Sequence, residues 1–200
     1  ADNLDANGRH RERFGRIALR KGGGYDYRRD CVKFSHKVAA LTDAASRPGG
    51  GLLIMCDADV ITHADVTADW LRDLIPNPVA YMAWLDRRSW YPECGFVVFR
   101  ESHSAHGEFM RRFRAVYESD AVFKYRETHD SFVLQQVAEQ CVRDKLLVAP
   151  TSLSGKAGRD KSHPFVHSVL GSRMDHLKGK LKTTGRTPVG TVNRKEEYWR

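Results

Sequence analysis

The sequence predicts an α/β fold, and two observations lead to this prediction. An amphipathic pattern typical of a helix over 30–46 ends in a glycine turn and leads directly into the apolar run Leu52–Cys56. A short apolar run opened by glycines is typical of a strand that is buried on both faces. Two further apolar runs, at 79–85 and 94–99, predict additional strands. Strands that alternate with helical segments indicate an α/β arrangement.

The composition restricts the class of protein. A chain of 200 residues, with 41% hydrophobic and 29% charged residues, is long enough to bury one core and is typical of a soluble globular protein. No apolar run approaches the roughly 20 residues that a membrane span requires. The four cysteines are widely spaced and include no C-x-x-C pair, which favours a reducing, cytoplasmic compartment. Cys31 and Cys56 are both expected to be buried.

The pattern along the chain divides it into three segments. These are a polar N-terminal segment over 1–29, one α/β domain over 30–186 and a C-terminal tail over 187–200. Apolar residues at intervals of three and four predict helices over 30–46, 64–75 and 104–119. A further helix is expected to begin at His129-Asp130-Ser131, where Asp130 is either the N-cap or an acid that faces a ligand. A short strand is predicted at 146–148, before a long loop.

Asp57 and Asp59 follow the strand predicted over Leu52–Cys56. Alternate side chains of a strand point the same way, so these two carboxylates would share a direction if the strand geometry continues. Two carboxylates at the end of a buried strand are unfavourable unless a positive charge lies between them. A hard divalent cation with oxygen ligands provides that charge. The alternative is a polar turn, in which aspartate is common.

The whole chain has a net charge of +8, and many of its basic residues lie in its last part. Between 155 and 186 two aspartates oppose eight basic residues: Lys156, Arg159, Lys161, Arg173, Lys178, Lys180, Lys182 and Arg186. Such a segment suits a metal-bound diphosphate, a nucleic acid or a solvated loop, and charge alone does not distinguish them. Lys33 and Lys37 share a helix face and, taken alone, are typical of a solvated helix edge.

Four motifs, taken in chain order, carry a family resemblance. They are Leu52–Val60 (LLIMCDADV), Glu93–Val97 (ECGFV), His129–Leu134 (HDSFVL) and His176–Gly179 (HLKG). Over residues 28–182 this series resembles the nucleotide-sugar glycosyltransferases of the GT-A type. In motif order it is most similar to the glycogenin-like and galactosyltransferase-like retaining family. The resemblance implies a Rossmann-like mixed sheet flanked by helices, without the first βαβ unit that normally holds the base, so that the chain is either a fragment or a reduced domain.

The resemblance also implies roles for individual residues. The implied metal ligands are Asp57, Asp59 and His176. The implied nucleotide or diphosphate contacts are Lys33, Lys37, Asp57, Lys178 and Gly179. The residues implied to contact the sugar or acceptor are Cys94, Gly95 and His129, and the implied catalytic residues are Asp130 and Glu93, although Glu93 read alone is typical of a surface acid.

Two departures from the family pattern limit what it implies. Glu93-Cys94 stands where the family has Asn-Ser, and His129 stands where it has Gln. Neither the sugar nor retention of stereochemistry therefore carries over.

The expected function is metal-dependent transfer of a sugar from a nucleoside-diphosphate sugar, with a UDP-sugar favoured, to an unknown acceptor. Mn²⁺ is favoured over Mg²⁺ because one expected ligand is a histidine. A metal-dependent nuclease or phosphotransferase is an alternative, and so are a non-catalytic fragment and a basic nucleic-acid-binding module. Nucleic acid is an unfavoured partner, because few aromatic residues interleave with the basic segment.

Overall fold

The computed structural model describes residues 25–47, 49–155, 159, 163–185 and 187. Most of segments 1–29 and 187–200 lies outside this range, as do the basic residues Lys156, Lys161 and Arg186. The described helices are α1 (Cys31–Ala45), α2 (Ala68–Asp73), α3 (His106–Glu118), α4 (Asp130–Arg143) and α5 (Leu181–Thr184). The described strands are β1 (Leu52–Cys56), β2 (Val60–Thr62), β3 (Met82–Arg87), β4 (Trp90–Arg100), β5 (Thr151–Ser152) and β6 (Met174–His176).

The chain forms two compact units, each built from two stretches of sequence. The helical unit takes its described residues from 25–49 and 104–147, and the sheet unit takes its own from 50–103 and 148–187. The α/β class and a mixed sheet, both expected from the sequence, are confirmed.

The helical unit is built from α1, α3 and α4, which pack against one another. The carboxylate of Asp30 accepts a hydrogen bond from the Lys33 N–H and so forms the expected N-cap of α1. The apolar faces of the three helices form the core, which includes Val38, Leu41, Phe109, Phe113, Tyr117, Val133, Leu134 and Val137. Helix α4 differs from expectation at its start. His129, rather than Asp130, is its N-cap, with the imidazole accepting the Phe132 N–H at 3.4 Å.

The sheet unit contains a four-stranded sheet in the order β1-β4-β3-β5. The β1–β4 and β3–β4 pairs are antiparallel, whereas β3 and β5 are parallel. Strands β2 and β6 form a separate antiparallel pair. The core on this sheet includes Leu74, Ile75, Ala83, Leu85, Phe96, Val98, Phe165, Val166 and Leu170.

The burial expected for β1 is wrong. Among the described strands β1 has one neighbour, β4, so it lies at an edge of the sheet. Only Met55 of its five residues is buried, and Cys56 is exposed. An edge strand leaves one side open even when its sequence is apolar, which is why the apolar run was misleading. Cys31 is buried as expected, and none of the four cysteines forms a disulfide.

Several predicted boundaries also differ. Helix α2 is shorter than 64–75, because Thr67 caps it and Pro76 follows its end. Strand β3 begins and ends later than 79–85, and β4 extends beyond 94–99 at both ends. The strand predicted at 146–148 is absent from this described stretch, and the chain instead pairs with β3 at Thr151–Ser152. The sequence did not predict β2 or β6, which are only three residues long.

Candidate metal centre

Asp57 and Asp59 lie in a tight turn that follows β1. The carbonyl oxygen of Asp57 accepts the Val60 N–H at 3.1 Å, which closes the turn, and the Asp57 N–H donates to the carbonyl oxygen of Gly95 at 3.0 Å. The strand therefore ends before the first aspartate. The two carboxylates are brought together by this turn and not by the continued strand geometry that the sequence suggested.

The β2–β6 pair brings a histidine to the same turn. Val60 lies opposite His176 in the antiparallel register. The Leu177 N–H donates to the carbonyl oxygen of Asp59 at 3.0 Å, which extends this pairing into the turn. A short ladder thus fixes His176 beside two aspartates that lie far from it in the sequence.

The three side chains form a compact group of ligand atoms. His176 Nε2 lies 3.1 Å from Asp59 Oδ1 and 3.7 Å from Asp57 Oδ2. One ligand atom from each residue can be chosen so that all three lie within 4.8 Å of one another. His176 is buried, whereas the two aspartates are half-buried. Two carboxylates and an imidazole at these distances are a ligand set that fits a divalent cation.

The imidazole of His176 is held in place by residues of β4 and by an aromatic ring. A Cβ added to Gly95 would lie 2.5 Å from Nδ1 and 2.6 Å from Cε1, so only glycine lets the ring lie this close to the strand. Nδ1 lies 2.9 Å from Oε1 of Glu93. The Phe165 ring packs edge-on, with its centroid 5.4 Å from the imidazole centroid. These neighbours leave Nε2 facing the aspartates.

Two lysines complete the charge distribution. Lys182 Nζ lies 2.7 Å from Asp59 Oδ2, and Lys178 Nζ donates to Oε2 of Glu93. Burial alone would raise the pKa of Asp59, but the hydrogen bond from Lys182 and the charge of His176 outweigh it and lower that pKa. Burial likewise opposes ionisation of Glu93, yet its contacts with His176 and Lys178 lower its pKa to about 2. Both acids are therefore carboxylates at neutral pH.

Lys182 is a site residue that the sequence analysis missed. The segment after β6 forms a loop that comes back to this strand at Thr187. The Asp175 carboxylate accepts the N–H and the hydroxyl of Thr187 at 2.6 and 2.7 Å and so closes the loop. Gly179 and Gly185, with φ of +55° and +72°, make the bends of this loop. A signal was present: the glycosyltransferases that the sequence resembles have the pattern H-x-x-G-x-x-K at this point, and counted from His176 that spacing places the lysine at Lys182 and not at Lys178.

The residues of the second motif have neighbours that the sequence did not predict. Glu93, Cys94 and Gly95 lie within β4 and are all buried or enclosed. Glu93 and Gly95 contact His176, as described above. The expectation that Glu93 is catalytic and that Cys94 and Gly95 contact the sugar or acceptor stays a prediction, but the contacts of Glu93 and Gly95 are with a candidate metal ligand.

The remaining predicted residues belong to the helical unit. Lys37 Nζ pairs with Asp130 Oδ2 at 2.7 Å, and the Asp130 side chain is buried. His129 is also buried, with Nε2 2.9 Å from Oε2 of Glu127 and its ring close to those of Tyr27, Phe34 and Phe132. Lys33 lies over the Phe34 ring at 5.6 Å from its centroid. The structure thus brings Lys37 and Asp130 together within one unit, and their nucleotide and catalytic roles stay predictions.

Comparison with known proteins gives no relative for this chain: no protein-family model, curated protein or solved structure matches it. Among the described helices, none has both the length and the apolar character needed to cross a membrane.

Proposed function

We propose that this chain is a metal-dependent glycosyltransferase of the GT-A type, which moves a hexosyl group from a nucleoside-diphosphate sugar to an acceptor. One observation carries the proposal. Asp57 and Asp59, placed by a turn at the carboxyl end of β1, converge with His176 from a distant strand and with Lys182. This is the arrangement of charges that a metal-bound diphosphate requires.

The ligand set suits the proposed cation. Asp57, Asp59 and His176 would hold it, and a nitrogen ligand favours Mn²⁺ over Mg²⁺. The bound cation would supply stabilisation of the negative charge that develops on the leaving diphosphate. The two aspartates are half-buried, so solvent and a phosphate group could reach a cation that they hold.

The chain's own cations would assist the leaving group. Lys182 is 58% exposed at its side chain, and its Nζ pairs with Asp59. Its long side chain can therefore turn from the carboxylate to a phosphate oxygen without unfolding the loop that carries it. Lys178 is tied to the buried Glu93, which makes it the less available of the two. A UDP-sugar is the favoured donor, and Asp130 stays the sequence-based candidate for the acid beside the sugar.

A metal-dependent nuclease or phosphotransferase uses similar residue types. Such enzymes frequently bind two cations about 3.5–4 Å apart between shared carboxylates. In the part of the chain that the structure describes, one group of three metal-ligand side chains is found. A single three-residue group favours a one-metal site, and for this reason glycosyl transfer is the function proposed.

Calorimetric titration of UDP, with and without Mn²⁺, tests the proposal, with GDP as a comparison. Wild-type protein is expected to bind UDP only when Mn²⁺ is present, and Asp59→Ala is expected to abolish this binding. Asp69→Ala is the matched control, because Asp69 is an exposed acid of α2 whose side chain pairs with Arg72 on the same helix. Folded wild-type protein that binds neither nucleotide would overturn the proposal. Metal-dependent cleavage of a phosphodiester without nucleotide binding would favour the nuclease instead.

A further inference from the structure

We infer that Glu93 is a positioning residue for the metal site: its carboxylate fixes the imidazole of His176 so that Nε2 faces the aspartates. The inference rests on the metal site of the proposed function. It gives Glu93 a role that acts through His176 and not by contact with a sugar.

The position of Glu93 fits this role. Glu93 is 4% exposed and lies within β4, and its two carboxylate oxygens face two different partners. Oε1 lies 2.9 Å from His176 Nδ1, and Oε2 accepts from Lys178 Nζ. A buried carboxylate requires such partners. Lys178 balances the negative charge, so the carboxylate remains stable at this place even when His176 is a neutral metal ligand.

The chemistry of imidazole explains why a partner at Nδ1 matters. A histidine that binds metal through Nε2 must carry its proton on Nδ1, and an acceptor beside Nδ1 selects that tautomer and fixes the direction of the ring. Oε1 of Glu93 lies 2.9 Å from Nδ1 and is placed to be that acceptor, although the contact does not have the geometry of a formed hydrogen bond and Nδ1 has no hydrogen-bond partner among the described residues. The close approach of the ring to Gly95 fixes its plane. Together they direct one lone pair at the space between Asp57 and Asp59.

Glu93 and Gly95 act on the same imidazole from one strand. The pairing of β4 with β3 shifts register between Glu93 and Val97, so regular strand alternation does not explain their placement. A Cβ at Gly95 would nevertheless lie 3.3 Å from Glu93 Oε1, which shows that the two residues face the same side. One provides a carboxylate and the other provides room, and both contact His176. Glu93 and Gly95 of the sequence E-C-G thus position one imidazole together.

Metal titration of four proteins tests the inference: wild type, Glu93→Gln, His176→Ala and the double variant. The probes are Co²⁺, which accepts nitrogen ligands well, and Mg²⁺, which prefers oxygen. Loss of an outer partner of a ligating histidine costs about 10–100-fold in metal affinity, so Glu93→Gln is expected to weaken Co²⁺ binding by that factor. It is expected to change Mg²⁺ binding far less. In the His176→Ala background, Glu93→Gln is expected to have no further effect on Co²⁺.

A purely structural role for Glu93 predicts a different pattern. Equal losses for Co²⁺ and Mg²⁺, or the same loss with and without His176, would overturn the inference. Lys178→Met is the second test, because it breaks the other contact of Glu93 and leaves the His176 contact in place. It is expected to retain Co²⁺ binding, whereas losses equal to those of Glu93→Gln would show that the ion pair, and not the orientation of His176, is what matters. Circular dichroism establishes that each variant is folded.

The same titrations separate this inference from the proposed function. If wild-type protein binds Co²⁺ and needs Asp59 to do so, but Glu93→Gln binds it equally well, then the inference fails and the metal site stands. If wild-type protein binds neither cation, both fail. If Co²⁺ binding depends on Glu93 but no UDP binds, the positioning role stands and the transferase proposal fails.

Discussion

The imidazole of His176 lies so close to Gly95 that the Cβ of any other residue there would come within 2.5 Å of Nδ1. Gly95→Ala is therefore expected to push the ring away from Glu93 and from the aspartates. We predict a loss of at least about tenfold in Mn²⁺ affinity, the size typical of a disturbed histidine ligand. Calorimetric titration with Mn²⁺ measures it.

Gly107→Ala is the matched control for this prediction. Gly107 lies in α3, where an added Cβ meets nothing within 4 Å. Because glycine inside a helix is less favourable than alanine by roughly 0.5–1 kcal/mol, this variant is expected to be slightly more stable. Its Mn²⁺ affinity is expected to equal that of the wild type. A Gly95→Ala protein that binds Mn²⁺ as tightly as Gly107→Ala would show that the imidazole can relocate without loss.

Lys182 occupies a carboxylate oxygen that a cation would need, since its Nζ lies 2.7 Å from Asp59 Oδ2. Lys182→Met is therefore expected to raise Mn²⁺ affinity in the absence of nucleotide, because the competing ammonium is gone. The same variant is expected to weaken UDP binding at saturating Mn²⁺, because a charge that faces the diphosphate is lost. Lys180→Met removes the same charge two residues away and is the control for a general electrostatic effect. Changes of the same sign in both titrations would contradict this prediction.

The candidate metal site could be predicted from sequence better than the fold that creates it. Asp57 and Asp59 were identified because two acids follow an apolar run, yet β1 is an edge strand and the carboxylates meet through a turn. His176 was identified from a local motif. Its contact with Asp59 depends on β2 and β6, two strands of three residues that are too short to show a periodic pattern.

The neighbours of Glu93 could not be predicted in the same way. Burial of an acid is unfavourable when it is considered alone, so sequence patterns assign it to the surface. Only the long-range approach of His176 and Lys178 makes its burial possible. Lys182, in contrast, could have been found from the spacing of the H-x-x-G-x-x-K motif that begins at His176. Local patterns thus located the ligands, and tertiary contacts determine which side chains support them.

The single exposed cysteine allows a simple test of β1 as an edge strand. Cys56 is exposed, whereas Cys31, Cys94 and Cys141 are buried. Burial raises the pKa of the Cys31 thiol to about 11 and also raises that of Cys141, which reduces their thiolate content further. One thiol of four is expected to react rapidly with iodoacetamide in the native protein. Mass spectrometry should locate it at Cys56, and Cys56→Ser should remove the rapid phase. Rapid labelling of two or more sites would contradict the burial of the others.

The pH dependence of stability in the helical unit should depend on Arg112. Its guanidinium donates to Glu108 on the same helix at 2.7 Å and to Asp144, just beyond the end of α4, at 2.5 Å. Hydrogen bonds from Arg111 and then Arg112 lower the pKa of Glu108 to about 2, and Arg112 lowers that of Asp144. A folded-state pKa below the unfolded value means that the stabilisation is complete above the unfolded pKa of about 4 and is lost as the pH falls towards 2.

We therefore expect the melting temperature to fall between about pH 5 and pH 2, and Arg112→Gln to make this fall smaller because both acids lose a shared partner. Circular dichroism melts at half-unit pH steps measure the slope. Arg47→Gln is the control, because it removes an arginine whose pair with Asp43 is exposed and local to the end of α1. The Arg112 pairs are half-buried and their stabilisation is present at neutral pH. The melting temperatures of wild type and Arg112→Gln should therefore differ most near neutral pH and converge as both acids are protonated. Parallel pH profiles for wild type and Arg112→Gln would show that the link between α3 and Asp144 does not contribute to the stability of the folded state.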